Sequence, residues 1–136
     1  MQIELEILGE PMGKQRPKFN RYTRSAHTPE KTVNYETYVK ELYVSSRLPM
    51  LQGYIKINII AYYSIPGTTS KKKHEQMINK FILPDKKPDL DNIAKIICDA
   101  LNKIAYADDK QIVVLHLEKY YSDRPRVELQ MEELND

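Results

Sequence analysis

Cysteine is nearly absent from this sequence, in which Cys98 is the only one among 136 residues. A single cysteine excludes a disulfide framework and a zinc site made of cysteines. No apolar run approaches the roughly 18 residues that a membrane-spanning helix needs. Residues 1–6 alternate apolar with polar side chains and lack the basic-then-apolar order of a secretory signal. We therefore expect a cytoplasmic protein without a membrane segment, with Cys98 packed in its core.

The composition is otherwise ordinary for a globular protein. Hydrophobic residues make up 41% and charged residues 29% of the chain, and both fractions are usual for globular domains. A length of 136 residues is enough for one core that needs no disulfide or metal to stabilise it. The sequence contains no internal repeat or low-complexity tract, and we expect one domain that spans residues 1–136.

Charge is unevenly distributed along the chain, although the formal net charge is only +2. Basic residues dominate residues 14–40 and again residues 71–87, whereas acidic residues concentrate in residues 85–109 and 128–136. This separation is typical of a protein with a basic surface for phosphates and a separate acidic pocket. Charge alone leaves open the alternative that these residues are a solvated surface without a partner.

Hydrophobic periodicity predicts a sheet packed by helices. Alternating apolar residues indicate strands at residues 2–8, 53–64, 111–121 and from residue 125 onwards. The apolar end of the second strand favours a place inside the sheet, and we expect the last two strands to form a hairpin. The order of elements predicts an α+β fold, a small single domain in which helices pack on a mixed β-sheet.

Helical periodicity occurs in two segments. The first, residues 30–46, has Thr28 as predicted N-cap and a proline at its first position. Its predicted apolar stripe consists of Val33, Tyr38, Val39, Leu42 and Tyr43. The second helix has an apolar face made of Ile93, Ile96, Ile97, Ala100, Leu101 and Ile104. Residues 13–28 lack a period and are predicted to form a loop, whereas residues 70–80 form either a basic helix capped by Ser70 or a mobile arm.

Four aspartates stand on either side of the second predicted helix. Asp89 and Asp91 lie where an extended segment meets its start, and side chains two residues apart in an extended chain point to the same side. Asp108 and Asp109 follow its far end, and a return of the chain would bring one of them beside the pair. Because neighbouring carboxylates repel each other unless a cation separates them, we predict a site for a hard cation such as Mg²⁺, which binds carboxylates, water and substrate phosphate.

Residue spacing also allows roles without any metal. Asp91 then caps the helix, Asp89 is a turn residue after proline, and the pair Asp108 and Asp109 only begins a strand. Lys95 lies one helical turn beyond Asp91 on the same face, where it would neutralise charge that develops on a phosphate or position an attacking water. The spacing does not decide between these interpretations.

Four blocks of sequence resemble the signature of the RusA family of Holliday junction resolvases. They are KPDLDNIAK at residues 87–95, DALN at 99–102, ADDKQI at 107–112 and, in a common N-terminal variant of the family, GEPMGKQRP at 9–17 followed by the Thr-Pro pair at 28–29. The resemblance spans nearly the whole chain. The family consists of short endonucleases, often carried by phages and prophages, that resolve four-way DNA junctions.

The resemblance implies roles for single residues. Asp89, Asp91 and Asp109 would hold Mg²⁺, with Mn²⁺ as a substitute ion, and Lys95 would be the essential lysine of the catalytic group. Asp108 would only support the site. The resemblance also implies a homodimer that makes paired symmetric nicks, since a two-fold dimer offers two equivalent sites to a two-fold junction.

The leading hypothesis is therefore a Mg²⁺-dependent, structure-selective endodeoxyribonuclease that resolves Holliday junctions in DNA recombination and repair. Its predicted contacts to DNA phosphates are Lys14, Arg16, Lys18, Arg21, Arg24, Lys71, Lys72 and Lys73. Two alternatives stay open, namely a protein that binds junctions without cutting them and a nuclease that also cuts flaps or single strands. Binding without product identifies the first, and equal cutting of flaps and junctions identifies the second.

Overall fold

A four-stranded sheet with helices packed on one face forms the centre of the molecule. The computed structural model describes residues 1–16, 18–22, 25–27 and 29–134, with only the backbone described for 18–20 and 25–27. The elements are β1 (Gln2–Leu8), β2 (Lys18–Asn20), β3 (Ser25–His27), α1 (Glu30–Ser45), β4 (Ile55–Ser64), α2 (Lys71–Ile78), α3 (Leu90–Leu101), a 3₁₀ turn (Asp109–Gln111), β5 (Ile112–Ser122) and β6 (Arg126–Glu133). Buried side chains of β1, β4, β6, α1 and α3 form one core, which confirms the predicted α+β class.

Strand β4 lies inside the sheet, as its apolar pattern predicts. The strand order is β1-β6-β4-β5, and β4 pairs in parallel with β5 and antiparallel with β6. The predicted hairpin of the last two strands is wrong, because β4 separates β5 from β6. A β5–β6 hairpin would leave β4 at an edge, whereas Ile55, Ile57 and Ile59 of β4 are fully buried.

Helix α3 follows the predicted apolar face closely. Its buried residues are Ile93, Ala94, Ile96, Ile97, Ala100 and Leu101. The helix ends at Leu101, because Asn102 at the C-cap has an extended φ and ψ of −60° and 131°. Ile104 therefore packs against the core from beyond the helix. Cys98 also packs against the core, and burial raises the pKa of its thiol to about 11. Its predicted role in the core is confirmed.

Helix α1 confirms part of the predicted apolar stripe, since Val39 and Tyr43 are buried and Leu42 packs against the core. Val33 and Tyr38 are exposed at 45% and 40%, so their assignment to the buried face is wrong. The buried row is Thr32, Val39 and Tyr43. Val39 follows Thr32 by seven positions and Tyr43 follows it by eleven, so the three side chains lie on one side of a helix of 3.6 residues per turn. Position 29 occupies the N-cap, and the predicted N-cap Thr28 lies outside the described residues.

Regular structure occurs in two segments for which the sequence pattern predicted none with certainty, namely residues 13–28, predicted as a loop, and residues 70–80, left undecided. Within the predicted loop of residues 13–28, β2 pairs antiparallel with β3. In the undecided segment α2 is helical, and the Ser70 side chain accepts a hydrogen bond from the Lys73 backbone N–H at 3.3 Å. Within the described ranges, no helix combines the length and apolar character that crossing a bilayer requires.

Candidate active site

Two predicted site residues lie at the start of α3. Asp89 occupies the N-cap position with extended φ and ψ of −72° and 151°, and Asp91 lies in the first turn. Within the described part of the chain, the Asp89 side chain accepts no capping hydrogen bond. Both carboxylates are exposed, at the end of a helix where the backbone dipole favours negative charge. The alternative that Asp91 is the cap is therefore wrong, and neither carboxylate is used for capping.

Tyr63 fixes the backbone immediately before Asp89. Its hydroxyl donates a hydrogen bond to the Pro88 carbonyl oxygen. Burial, with a smaller contribution from the Asp89 charge, raises the pKa of Tyr63 to about 12. The phenol therefore stays protonated at neutral pH and remains a donor. Strand β4 thus positions the start of α3 through a residue that no sequence pattern had indicated.

The N-terminal sequence block meets the aspartate block in space. Gly13 packs so closely against α3 that a Cβ atom would lie 2.9 Å from Pro88 Cβ and 3.0 Å from Asn92 Cβ. The Lys14 backbone N–H also donates to the Asn92 carbonyl oxygen at 2.9 Å. Only glycine allows this approach without displacement. A cavity of about 470 Å³ lies between the loop and α3, and Asp89 is among its lining residues.

Lys14 fastens this loop to two helices. Its Nζ lies 3.1 Å from both carboxylate oxygens of Glu36 in α1 and 3.3 Å from Oδ2 of Asp99 in α3. Partial burial opposes the charge, but the two carboxylates more than offset it and raise the pKa of Lys14 above its ordinary value. These ion pairs give Lys14 a structural role that needs no DNA, and its contact with phosphate stays a prediction.

Thr32 provides a second fastening for the same loop. It is the fully buried polar side chain of α1, and its hydroxyl donates to Gln15 Oε1 at 3.2 Å while Oγ1 accepts from the Gln15 backbone N–H at 3.4 Å. Buried polar groups are costly unless they are hydrogen-bonded. The loop is therefore held from both sides, by α1 and by α3.

Lys95 projects from the exposed face of α3 that also carries Asp91. Its Nζ lies 3.4 Å from Oδ2 of Asp99, and its side chain is 62% exposed. Lys95 follows Asp91 by four residues and Cys98 follows it by seven. The three side chains therefore form one stripe along the helix. Asp99 thus joins Lys95 to Lys14, which gives this aspartate of the sequence motif a structural explanation.

The two aspartates beyond α3 have different surroundings. Asp108 begins the 3₁₀ turn: its side chain accepts from the Lys110 N–H at 2.9 Å, and the Gln111 side chain accepts from the Asp108 N–H at 3.0 Å. This reciprocal capping box, chiefly through the Lys110 bond, lowers the pKa of Asp108. Asp109 is exposed, and its charge adds to burial in raising the pKa of Cys98.

The predicted metal ligands come from two separate elements. Within residues that the structure describes, no group of three His, Cys, Asp or Glu side chains is arranged to hold a metal ion. Asp89 and Asp91 lie at the start of α3, whereas Asp109 begins the 3₁₀ turn that follows this helix. The chemistry of the donors fits a hard cation, since these carboxylates are exposed and are not used for capping.

The predicted phosphate contacts occupy separate places. Lys71, Lys72 and Lys73 are exposed in the first turn of α2, and Arg16 and Arg21 are exposed near the N-terminal block. Arg24 lies outside the described residues, as does the Lys18 side chain. A larger cavity of about 590 Å³ lies on the outward face of the sheet. Its lining includes Glu4, Glu6, Glu118 and Glu128, and this negative charge disfavours phosphate.

Comparison with known proteins supplies the family. The sequence profile of the endodeoxyribonuclease RusA family matches residues 9–132, a range that includes both sequence blocks that meet at Gly13. The chain is also 34% identical to the uncharacterized protein YqaN of Bacillus subtilis (strain 168) over 139 residues, which cover 98% of this chain and 97% of that protein. The chain belongs to the RusA family of endodeoxyribonucleases.

Proposed function

We propose that this endonuclease resolves four-way DNA junctions in a metal-dependent reaction, and that it acts in the cytoplasm in DNA recombination and repair. The family match across residues 9–132 carries the proposal. The geometry supports it, because the two matching blocks pack together around a cavity of about 470 Å³ that Asp89 lines, and because Asp89 and Asp91 are both exposed.

Asp89, Asp91 and Asp109 are the proposed ligands of Mg²⁺, with Mn²⁺ as a substitute ion. Mg²⁺ is commonly held by one or two carboxylates together with substrate phosphates, so Asp89 and Asp91 are a sufficient start for a site that DNA completes. When bound, the ion would polarise the phosphodiester and lower the pKa of a water. Lys95, whose ammonium is largely exposed, would bind a non-bridging phosphate oxygen and stabilise its developing charge.

The proposed assembly is a homodimer that pairs through β5. This strand lies at the edge of the sheet and bonds only to β4 within the described chain. Val113, Val114 and Leu115 are exposed at 54%, 41% and 45%, although edge strands are usually protected by charge or proline. A two-fold β5–β5 contact would cover them and yield the paired sites that symmetric nicking needs.

Sedimentation of Leu115→Lys tests this interface, because two lysines at a two-fold contact repel each other. We expect a monomer, whereas Leu8→Lys should remain a dimer because Leu8, 54% exposed, lies on the opposite edge strand β1. A Leu115→Lys protein that sediments as a dimer would rule out pairing through β5.

Cleavage of a matched set of substrates tests the proposed activity. Labelled four-way junction, flap and linear duplex of the same sequences would be incubated with Mg²⁺ or with EDTA. We expect Mg²⁺-dependent paired nicks in the junction alone, with affinity that falls as salt rises. Binding without cleavage would favour a junction-binding protein, and equal cutting of flap and junction would favour a broader branched-DNA nuclease.

A further inference from the structure

Phe81 is strongly exposed, with 80% of its side chain accessible to solvent. It follows α2 in a segment that we call the basic arm, residues 71–87. Single exposed apolar side chains are common on protein surfaces and do not by themselves indicate a partner. Phe81 differs from most of them in that its backbone is held in place and many lysines surround it in the sequence.

The end of α2 is a hydrogen-bonded cap that directs Phe81 outwards. The Phe81 N–H donates to the Gln76 carbonyl at 2.8 Å and the Lys80 N–H to the Met77 carbonyl at 3.2 Å, the two bonds of a Schellman motif. Lys80 adopts a φ of 66°, in the left-handed region that favours glycine. The residue at the Phe81 position of this motif usually packs on an apolar residue at the Gln76 position. Here glutamine stands in that place, so the motif offers the ring no apolar partner.

The basic arm is also fastened to the sheet. His74 Nε2 lies 2.7 Å from Asp123 Oδ1, and Lys80 Nζ lies 4.2 Å from the centre of the Tyr120 ring, within the range of a cation–π interaction. Pro84 is buried. These contacts hold the basic arm against the rest of the protein, so the exposed ring of Phe81 is attached to a fixed backbone.

The charge around Phe81 indicates the kind of partner. Between positions 71 and 87 the sequence has two acidic residues, Glu75 and Asp85. The lysines of the same segment are Lys71, Lys72, Lys73, Lys80, Lys86 and Lys87. An aromatic ring among many lysines suits a nucleic acid, because lysines neutralise phosphates and the ring stacks on a base. Asp89 follows Phe81 by eight positions, so the two lie within about 28 Å of each other, less than one turn of duplex DNA.

We propose that Phe81 stacks on an unstacked base at the branch point of the DNA that the protein cuts. The inference rests on the proposed junction-cleaving function. In linear duplex both faces of every base are covered by neighbours, whereas a branch point interrupts the stack and leaves a base face open. Stacking of this kind tolerates any base, so Phe81 selects DNA by structure rather than by sequence.

The test uses four-way junctions that carry the fluorescent base 2-aminopurine next to the crossover, with Ca²⁺ in place of Mg²⁺ to slow cleavage. Fluorescence reports stacking of that base, and anisotropy of a distant label reports binding in the same sample. The variants are Phe81→Ala, Phe81→Tyr and, as a matched control, Tyr54→Ala, which removes an aromatic ring that is 65% exposed outside the arm.

We expect wild type to change the 2-aminopurine fluorescence and Phe81→Ala to lose that change. The alanine variant should bind junction about tenfold more weakly, the size of one base–aromatic stack, and linear duplex within twofold of wild type. Phe81→Tyr should restore the fluorescence change, and Tyr54→Ala should behave as wild type.

Two results would overturn the inference while leaving the proposed function in place. One is a Phe81→Ala protein that binds junction and changes the fluorescence as wild type does. The other is loss of dimer sedimentation on Phe81→Ala, which would assign the ring to contact with a second copy of the chain. A wild-type protein that binds no junction would instead contradict the proposed function itself.

Discussion

Helices α2 and α3 are near neighbours in sequence, yet they are held by opposite means. Six of the twelve residues of α3 are buried, whereas none of the eight residues of α2 is buried against the described chain. Helix α3 is anchored by its apolar face and carries the proposed catalytic groups at its start. Helix α2 is anchored by polar contacts such as that between His74 and Asp123. The core thus fixes the proposed catalytic groups in place, whereas polar surface contacts hold the exposed basic helix α2.

The largest expected effect is a difference in cleavage rate between substitutions of the two aspartates beyond α3. Asp109→Asn should lower junction cleavage by at least about a hundredfold, because it weakens a proposed metal ligand. Asp108→Asn should retain most of the activity, since asparagine also caps a helical turn. Single-turnover cleavage of both variants at saturating Mg²⁺ measures this difference. Equal losses would remove the distinction between a ligand and a cap.

Truncation of one isoleucine in each helix tests how the two are anchored. Ile97→Ala in α3 removes a fully buried side chain and should lower the free energy of unfolding by about 2–5 kcal/mol. Ile78→Ala in α2, where the side chain is 41% exposed, should change it by less than about 0.5 kcal/mol. Urea unfolding gives both values. A similar loss in the two variants would mean that α2 is anchored as firmly as α3.

The contact between the N-terminal block and α3 gives a prediction of intermediate size. Gly13→Ala should cost about 1–3 kcal/mol of stability and reduce cleavage, because the new methyl group would displace Pro88 or Asn92. Gly67→Ala is the control, since no described atom lies within 4 Å of the added Cβ. Thermal unfolding and cleavage are measured on both. If Gly13→Ala behaves as Gly67→Ala does, the close packing does not support the site.

The smallest expected effect on stability comes from the charges of α2. Replacing Lys71, Lys72 and Lys73 together by glutamine should leave the unfolding midpoint nearly unchanged, since all three are exposed. It should reduce the dependence of log affinity on log salt by about two to three, at 0.9 for each lost phosphate contact. Titrations at several salt concentrations measure this slope. An unchanged slope would show that α2 does not face the DNA.

Local periodicity predicted the elements of the fold well, because one apolar face per element is a local property. The face of α3 from Ile93 to Leu101 and the central place of β4 are examples. The order of strands is a long-range property. Separating β5 from β6 by β4 depends on which edge of the sheet the chain returns to, and alternation along a strand carries no information about that choice.

The sequence blocks single out Asp89, Asp91 and Asp109, whose role as ligands stays a prediction. The arrangement around them could not be predicted, because no spacing indicates that Gly13 packs on Asn92. Tyr63 was missed because a tyrosine in a strand looks like any other half-buried aromatic residue. Counting charges assigned Lys14 to DNA, whereas in the fold its ammonium lies between two carboxylates.

Cleavage and binding by Asp91→Asn, measured side by side on one four-way junction, test the central claim most directly. Asp91 is exposed at the first turn of α3, so the substitution should leave the fold intact. We expect no Mg²⁺-dependent nicks and a junction affinity that is equal to or higher than that of wild type, because a negative charge beside phosphate has been removed. Nicking at the wild-type rate would contradict the assignment of the catalytic centre to the start of α3.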